Sequence, residues 1–183
     1  IVALIHRQFV PFLLDETTET LAPLSFSPTP QVASRYDTRC AVPVDLLGDG
    51  GRQLLLAADT AAGSGLGATG LFIFRLKGTC LEQIFSGELA SNMLVGDSDS
   101  VEWSTTSYEV HPAIVPGAAK AIVSTRCHIL GDLSATETVR WEWDGRLYIP
   151  VETAASRVAR EQEQARFDAE FHRIAELSRR YDE

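Results

Sequence analysis

The dipeptide Asp144-Gly145, set between two runs of strand-forming residues, constrains the fold most. Asp-Gly favours a two-residue type I′ turn, in which both central residues take a positive φ, and such turns join antiparallel strands. A two-residue turn also sets the register: Trp143 would oppose Arg146, and Trp141 would oppose Tyr148. The sequence therefore predicts an antiparallel hairpin with its large aromatic side chains on one face.

The aromatic face of this hairpin has two interpretations. Trp141, Trp143 and Tyr148 could form a recognition surface, and we name them as candidate partner-binding residues. Large aromatic side chains more often pack against a second layer of the fold, which favours the core interpretation. Both interpretations remain open from the sequence alone.

Further strand signals fill the region from 37 to 151. Residues 71–76 are apolar on both faces, as expected of a central strand that is covered on each side. Lys77-Gly78-Thr79 then predicts a turn into a second strand. The other predicted strands cover residues 54–58, 81–85, 101–110 and 121–129. Together they predict an antiparallel β domain.

The glycine-rich segment from Gly65 to Gly70 matches the pattern GxGxxG. A dinucleotide site needs the third glycine to open a helix whose N-terminus holds the pyrophosphate. Here strand-forming residues follow Gly70, so we reject a dinucleotide fold. We expect a flexible loop over residues 61–70 instead.

The two ends of the chain differ from its middle. Residues 1–36 contain Pro28-Thr29-Pro30, which fits neither a helix nor a central strand, and this region predicts an extended N-terminal arm. The chain begins at Ile1 without a methionine, so we expect a processed or trimmed start. No apolar run is long enough to span a bilayer.

Residues 152–183 contain no glycine and no proline, and they predict a long C-terminal helix. Phe167, Phe171 and Ile174 form an apolar stripe at helical spacing in its second half, whereas the first half has only a thin stripe. The helix would dock on the β domain through its second half, or pair with another helix. These three residues are therefore candidate partner contacts, and a homo-oligomer through the helix is one possibility.

Charge and cysteine content restrict the function classes only broadly. A net charge of −9 argues against nucleic acid as a partner, because phosphates require a basic surface. Cys40, Cys80 and Cys127 are too far apart in the sequence for a CxxC redox or zinc motif. Buried thiols and one disulfide with a spare cysteine are both open, and all three pairings are possible.

The turn from Asp45 to Gly50 precedes an apolar strand: Asp45-Leu46-Leu47-Gly48-Asp49-Gly50, then Arg52-Gln53-Leu54-Leu55. Over about residues 42–76 the chain resembles the FG-GAP or VCBS-type repeat. That resemblance implies blade-like hairpins, a calcium site at Asp45 and Asp49, and a secreted or surface protein. Leu47 and Gln53 depart from the family pattern at two ligand positions, and calcium prefers six to eight oxygen ligands.

No catalytic motif is present in the sequence. The four histidines, at positions 6, 111, 128 and 172, show no metalloprotease spacing, and there is no GxSxG nucleophile turn. A hydrolase would have to combine His111 with the acidic cluster Asp97, Asp99 and Glu102. The more ordinary interpretation of that cluster is a solvated loop.

The sequence thus predicts a mainly β protein, an antiparallel sheet or sandwich with a long C-terminal α-helix. Its three regions are residues 1–36, 37–151 and 152–183. The leading hypothesis is a non-enzymatic protein of the bacterial envelope or exterior, periplasmic or secreted, that binds a protein partner without a cofactor. It would act as an inhibitor, an immunity factor or an assembly accessory. The alternatives are a carboxylate- and histidine-dependent hydrolase and a calcium-stabilised structural module.

Overall fold

The computed structural model describes residues 12–15, 20–27, 38–63, 66–94, 101–152 and 154–181. These residues form eleven strands and one helix. The elements are β1 (Phe12–Asp15), β2 (Thr20–Pro23), β3 (Ser25–Ser27), β4 (Thr38–Val44), β5 (Gln53–Gly63), β6 (Leu66–Lys77), β7 (Cys80–Leu94), β8 (Val101–His111), β9 (Ala121–Leu130), β10 (Leu133–Trp143), β11 (Tyr148–Val151) and α1 (Ala154–Tyr181).

The strands from β4 to β11 form one antiparallel meander, in which each strand pairs with the next along the chain. β3 joins the same sheet by pairing in parallel with the start of β7, while β1 and β2 form a separate ladder. Short connections favour this order, because antiparallel neighbours need only a tight turn between them. The predicted mainly β fold with a C-terminal helix is confirmed.

The sheet folds back on itself along the long strand β7. β6 pairs with β7 over its whole length, but β8 pairs only with its last five residues, 90–94. The two halves of the sheet diverge from that point, and a core of side chains from both halves fills the space. Its most buried members are Leu46, Ile73, Ile84 and Ile122. Residue 87, near the divergence, has to be a glycine because the Tyr108 hydroxyl occupies the place that a Cβ would need.

A second core covers the opposite face of β5, β6 and β7. Phe74 is fully buried there and packs against Phe26 of β3, with 4.9 Å between the ring centroids. Ile73, its neighbour in β6, points into the first core and is 2% exposed. The prediction of a central strand over residues 71–76 is therefore confirmed, with both faces covered over residues 71–74, whereas Leu76 is exposed.

Helix α1 docks on the sheet through its second half. Phe167 and Ile174 are buried and contact Leu130 of β9. In the first half, Val158 is 48% exposed and Ala154 faces solvent. Docking through the second half, one of the two predicted possibilities, is confirmed. Within the described residues no helix is long and apolar enough to cross a membrane.

The predicted register of the Asp144-Gly145 hairpin is wrong by two residues. Trp143 pairs with Tyr148, and Trp141 pairs with Pro150, so that four residues form the loop. The carboxylate of Asp144 accepts hydrogen bonds from the backbone N–H groups of residues 146 and 147, both at 2.7 Å. These bonds satisfy the wider loop in place of a type I′ turn. A shift of two residues keeps the aromatic side chains on one face.

The expected loop over residues 61–70 is also wrong. β5 continues to Gly63 and β6 begins at Leu66, so that this glycine-rich segment is the end of a long hairpin. Pairing with the neighbouring strand β7 compensates for the weak strand propensity of its small residues. Gly70 lies inside a strand rather than at a helix start, which confirms the rejection of a dinucleotide fold.

The three cysteines are free thiols on separate strands. Cys40 lies on β4, Cys80 on β7 and Cys127 on β9, and none of these strands neighbours another in the sheet. The structure therefore favours free thiols over any of the three pairings, but the predicted burial is wrong, since Cys40 is exposed and Cys80 and Cys127 are half-buried.

Candidate interaction surface

The aromatic face of the β10–β11 hairpin lies against the first core. Phe85 contacts Trp141 and Tyr148 edge to face, with centroids 5.3 and 6.3 Å apart. The guanidinium of Arg75 lies 5.6 Å from the ring centroid of Trp143. Burial raises the pKa of Tyr148 to about 12, and its hydroxyl donates to the backbone oxygen of residue 120 at 2.9 Å. The structure thus shows the core arrangement for these side chains.

The six predicted partner contacts pack mainly within the chain. Tyr148, Phe167 and Ile174 are buried, and the other three, Trp141, Trp143 and Phe171, are half-buried. Their role in binding a partner stays a prediction, and the more exposed apolar side chains lie elsewhere on the sheet.

The turn at Asp45 is held by a lysine from a distant part of the chain. Lys120 Nζ lies 3.0 Å from Asp45 Oδ2 and 2.7 Å from the Asp45 backbone oxygen. The hydrogen bond from Lys120 holds the pKa of the Asp45 carboxyl below its ordinary value. Asp49 instead accepts the N–H of Gly51 at 2.9 Å. The two predicted calcium ligands are therefore both engaged within the protein.

Gln53 fixes the inner side of the same turn. It is 2% exposed, and its Oε1 accepts the N–H groups of Leu46 at 2.7 Å and Leu47 at 3.3 Å. Its Nε2 donates to the backbone oxygen of Gly51 at 3.0 Å. Gly48, at φ 69°, packs so closely on the Ala118 carbonyl that a side chain would not fit. The amide that departs from the repeat pattern is thus the group that organises this turn.

A metal role for the turn stays a prediction. Across the described ranges, His, Cys, Asp and Glu side chains nowhere come together in threes that could hold an ion. A calcium ion at Asp45 would have to compete with the ammonium of Lys120.

Replacing Lys120 by methionine is expected to raise the pKa of Asp45 towards its ordinary value of 3.8. A carboxyl group whose pKa is lowered in the folded state stabilises the fold at pH values above its ordinary pKa. This contribution is lost as the pH falls through the pKa of the folded state. A carboxyl-carbon NMR titration measures the shift directly. Arg52→Met is the matched control, because Arg52 acts on Asp45 only as the smallest of the contributing charges. Equal shifts in both variants would contradict the assignment to Lys120.

The residues expected for a hydrolase are not brought together where the structure describes them. Glu102 and His111 lie at opposite ends of β8, nine residues and so about 30 Å apart. His111 Nε2 is 3.5 Å from Glu109 instead. Asp97 and Asp99 lie outside the described residues.

A polar network that the sequence did not predict lies between α1 and the first core. Glu88 Oε1 accepts hydrogen bonds from Ser91 at 3.0 Å, from Ser104, and from Arg126 Nη2 at 3.2 Å. Ser104 is 2% exposed, so its hydroxyl is a buried donor to Glu88 rather than an accessible nucleophile.

The imidazole of His128, beside this network on β9, contacts the helix. His128 Nε2 lies 2.6 Å from Glu102 Oε1, and its ring stacks on Phe167 with 4.2 Å between centroids. His128 and Phe167 both contribute to the helix–sheet contact, since α1 covers this face of β9. The pair of His128 and Glu102 therefore has a structural role in joining the helix to the sheet.

The opposite face of β8 and β9 presents an exposed apolar surface. Trp103 is 52% exposed, and Ile129, its partner across the ladder, is 44% exposed. Leu94 is 49% exposed and pairs with Val101, which lies two residues before Trp103 on β8 and on the same face. We call Leu94, Val101, Trp103 and Ile129 the Trp103 patch.

The Trp103 patch reverses the usual alternation of a half-buried strand. On β8 the small polar Ser104 is buried while the adjacent Trp103 points to solvent. Sheets that are covered on one side normally bury apolar residues and expose polar ones. The sequence contains the alternation of Trp103 and Ser104, but it does not show which face the helix covers.

Comparison of the chain with models of protein families, with characterised proteins and with solved structures finds no match.

Proposed function

We propose that this chain is a non-enzymatic protein-binding module whose docking surface is the Trp103 patch. The observation that carries the proposal is the half-exposed Trp103, which stands beside two other exposed apolar side chains, Leu94 and Ile129. Contiguous exposed apolar patches mark interaction sites on soluble proteins. Tryptophan is also among the residues that contribute most to binding free energy at interfaces.

The surroundings of the patch support a protein partner. Trp103 opposes the polar Asn92 on one side and Ile129 on the other. The next position along β8 on this face is Thr105, which pairs with Cys127. An apolar centre with polar neighbours is the usual organisation of a protein interface.

The patch lies on paired strands, which favours affinity. β8 is paired with β9 along its length and with β7 at the position of Trp103. A side chain carried by a central part of a sheet loses little conformational entropy when a partner covers it. The helix lies on the opposite face, against Leu130, and leaves the patch uncovered.

We further propose that the partner is met in the bacterial envelope or exterior. This part rests on the resemblance of the turn at Asp45 to repeats of secreted and surface proteins. An inhibitor, an immunity factor and an assembly accessory all bind a protein partner through a preformed surface, and the patch suits each of them.

A photo-crosslinking amino acid at position 103 tests this proposal in the protein's source cells. We expect a discrete cross-linked adduct with a protein of the envelope or medium fraction, because the partner would cover this position. The matched control carries the same amino acid at Glu109, which lies six residues along the same strand on the same face, beside His111 and outside the Trp103 patch.

The variant Trp103→Ser should abolish the adduct formed from a crosslinker at position 129. Circular dichroism and thermal unfolding would establish that each variant is folded. Identical adducts from positions 103 and 109, or no adduct from position 103 in the folded protein, would refute the patch as a docking surface. An adduct confined to the cytoplasmic fraction would refute only the location.

A further inference from the structure

Part of one strand edge is unpaired. β11 pairs with β10 only from Arg140 to Trp143. Over residues 133–139, the edge of β10 that faces away from β9 pairs with no other strand of the described chain.

The register identifies which backbone groups this edge presents. β9 and β10 are joined by a two-residue turn, so Leu130 and Leu133 exchange ladder hydrogen bonds, as does every second pair beyond them. The N–H and C=O groups of Ser134, Thr136 and Thr138 therefore point away from β9. They continue the row that begins at Arg140, which β11 occupies.

A cavity of about 170 Å³ lies against this edge. The end of β11 bounds it on one side and the first half of α1 on another. Its lining includes Thr136, Thr138, Pro150, Val151, Ala159 and Glu163. The first half of α1 borders the cavity without filling it, since Val158 and Ala159 remain exposed.

The charge of the cavity is predominantly acidic. Glu137, Glu152 and Glu163 line it, with Arg160 as the one cation among the described lining residues. Arg160 is paired with Glu152 at 2.8 Å. Arg126, which lies across the ladder from Glu137, is bonded to Glu88. Glu137 and Glu163 thus remain available to a basic partner.

The outer edge of β11 is protected in a way that the β10 edge is not. Pro150 has no N–H, and its position in the register puts the missing donor on the outer side. Pro43 occurs in β4, the strand at the other end of the sheet. Proline at an edge is a common protection against added strands. Residues 133–139 contain no proline.

We propose that the groove between β10 and α1 binds an extended basic peptide, which adds to the sheet as a strand beside Ser134, Thr136 and Thr138. The peptide continues the line of β11, its backbone completes the ladder, and its lysine or arginine side chains meet Glu137 and Glu163. Strand addition of this kind takes affinity from backbone bonds and specificity from side chains. The site does not depend on the Trp103 patch, so either proposal can fail alone.

Fluorescence anisotropy with a defined peptide tests the proposal. The probe is a labelled octapeptide of alternating valine and lysine, with the full-length chain as receptor. We expect saturable binding, which N-methylation of alternate peptide nitrogens weakens about tenfold or more by removing backbone donors. Glutamate in place of lysine should abolish binding, because the groove is acidic.

Two variants at one position separate the backbone from the side chain. Thr136→Pro removes an outward N–H without breaking the ladder to β9, and it should weaken binding about tenfold. Thr136→Val keeps that N–H and should bind as the wild type does. The double variant E137Q/E163Q should weaken binding of the lysine peptide several-fold.

No binding of the valine–lysine peptide, or equal binding of its N-methylated form, would overturn strand addition. If Thr136→Pro does not fold, the N-methylated peptide on the wild-type chain still decides the question. Unchanged binding by Trp103→Ser confirms that the two sites are separate. A loss of binding in that variant would overturn the groove as the site.

Discussion

Replacing Gln53 by leucine should lower the free energy of unfolding by about 3 kcal/mol or more. The leucine fills a similar volume but leaves the buried N–H groups of Leu46 and Leu47 without their partner. Each buried polar group that loses its hydrogen bond costs roughly 1–3 kcal/mol. Leu46 and Leu47 are themselves buried, so water does not readily replace the amide.

Thermal and urea unfolding measure this loss. For a chain of this size about 3 kcal/mol corresponds to a fall in Tm of roughly 6–12 °C. Arg52→Leu is the matched control: Arg52 adjoins Gln53 but is exposed, and its replacement should change stability by less than about 0.5 kcal/mol. A Gln53→Leu protein as stable as the control would show that the turn does not depend on this amide.

Local patterns in the sequence predict the strands well. Residues 71–74 are apolar in succession, and the structure places their side chains alternately in two separate cores. The C-terminal helix followed from the lack of glycine and proline together with its apolar stripe. In both cases the signal lies within one element, where the periodicity of side chains is set by backbone geometry.

Contacts between distant residues were not predictable in the same way. Lys120 reaches Asp45 across 75 positions of sequence. No spacing rule connects the two, and the pairing depends on how the turn at Asp45 meets the segment before β9. The metal hypothesis for Asp45 considered only local ligands, so it did not include this internal cation.

The exposed surface was missed for a related reason. Alternation along β8 shows that Trp103 and Ser104 point to opposite faces, and the usual expectation buries the tryptophan. The face that becomes buried depends instead on distant contacts, because Ser104 lies against Glu88 and Ser91 of β7 and α1 docks against Leu130 of β9. Leu130 lies on the same face as Ser104, so strand β7 and the helix together cover this face and Trp103 is left in solvent.

Replacing Phe167 by alanine should detach helix α1 while the sheet stays folded. The helix is held through a small apolar cluster in its second half, in which Phe167 contacts Leu130 and stacks on His128. Removing a buried phenylalanine side chain lowers the stabilising free energy by about 3–5 kcal/mol. We expect this loss to exceed the free energy that so small a contact contributes to docking.

Local detachment has a distinct signature in amide hydrogen exchange. Exchange in the second half of α1 should quicken by at least about a hundredfold, because about 3 kcal/mol is lost from the docked state. The amides of β5 and β6 should keep their protection, since their cores lie elsewhere. Val158→Ala, in the exposed first half, is the control and should exchange as the wild type does. Loss of protection in helix and sheet together would show instead that α1 is an integral part of the cooperative fold.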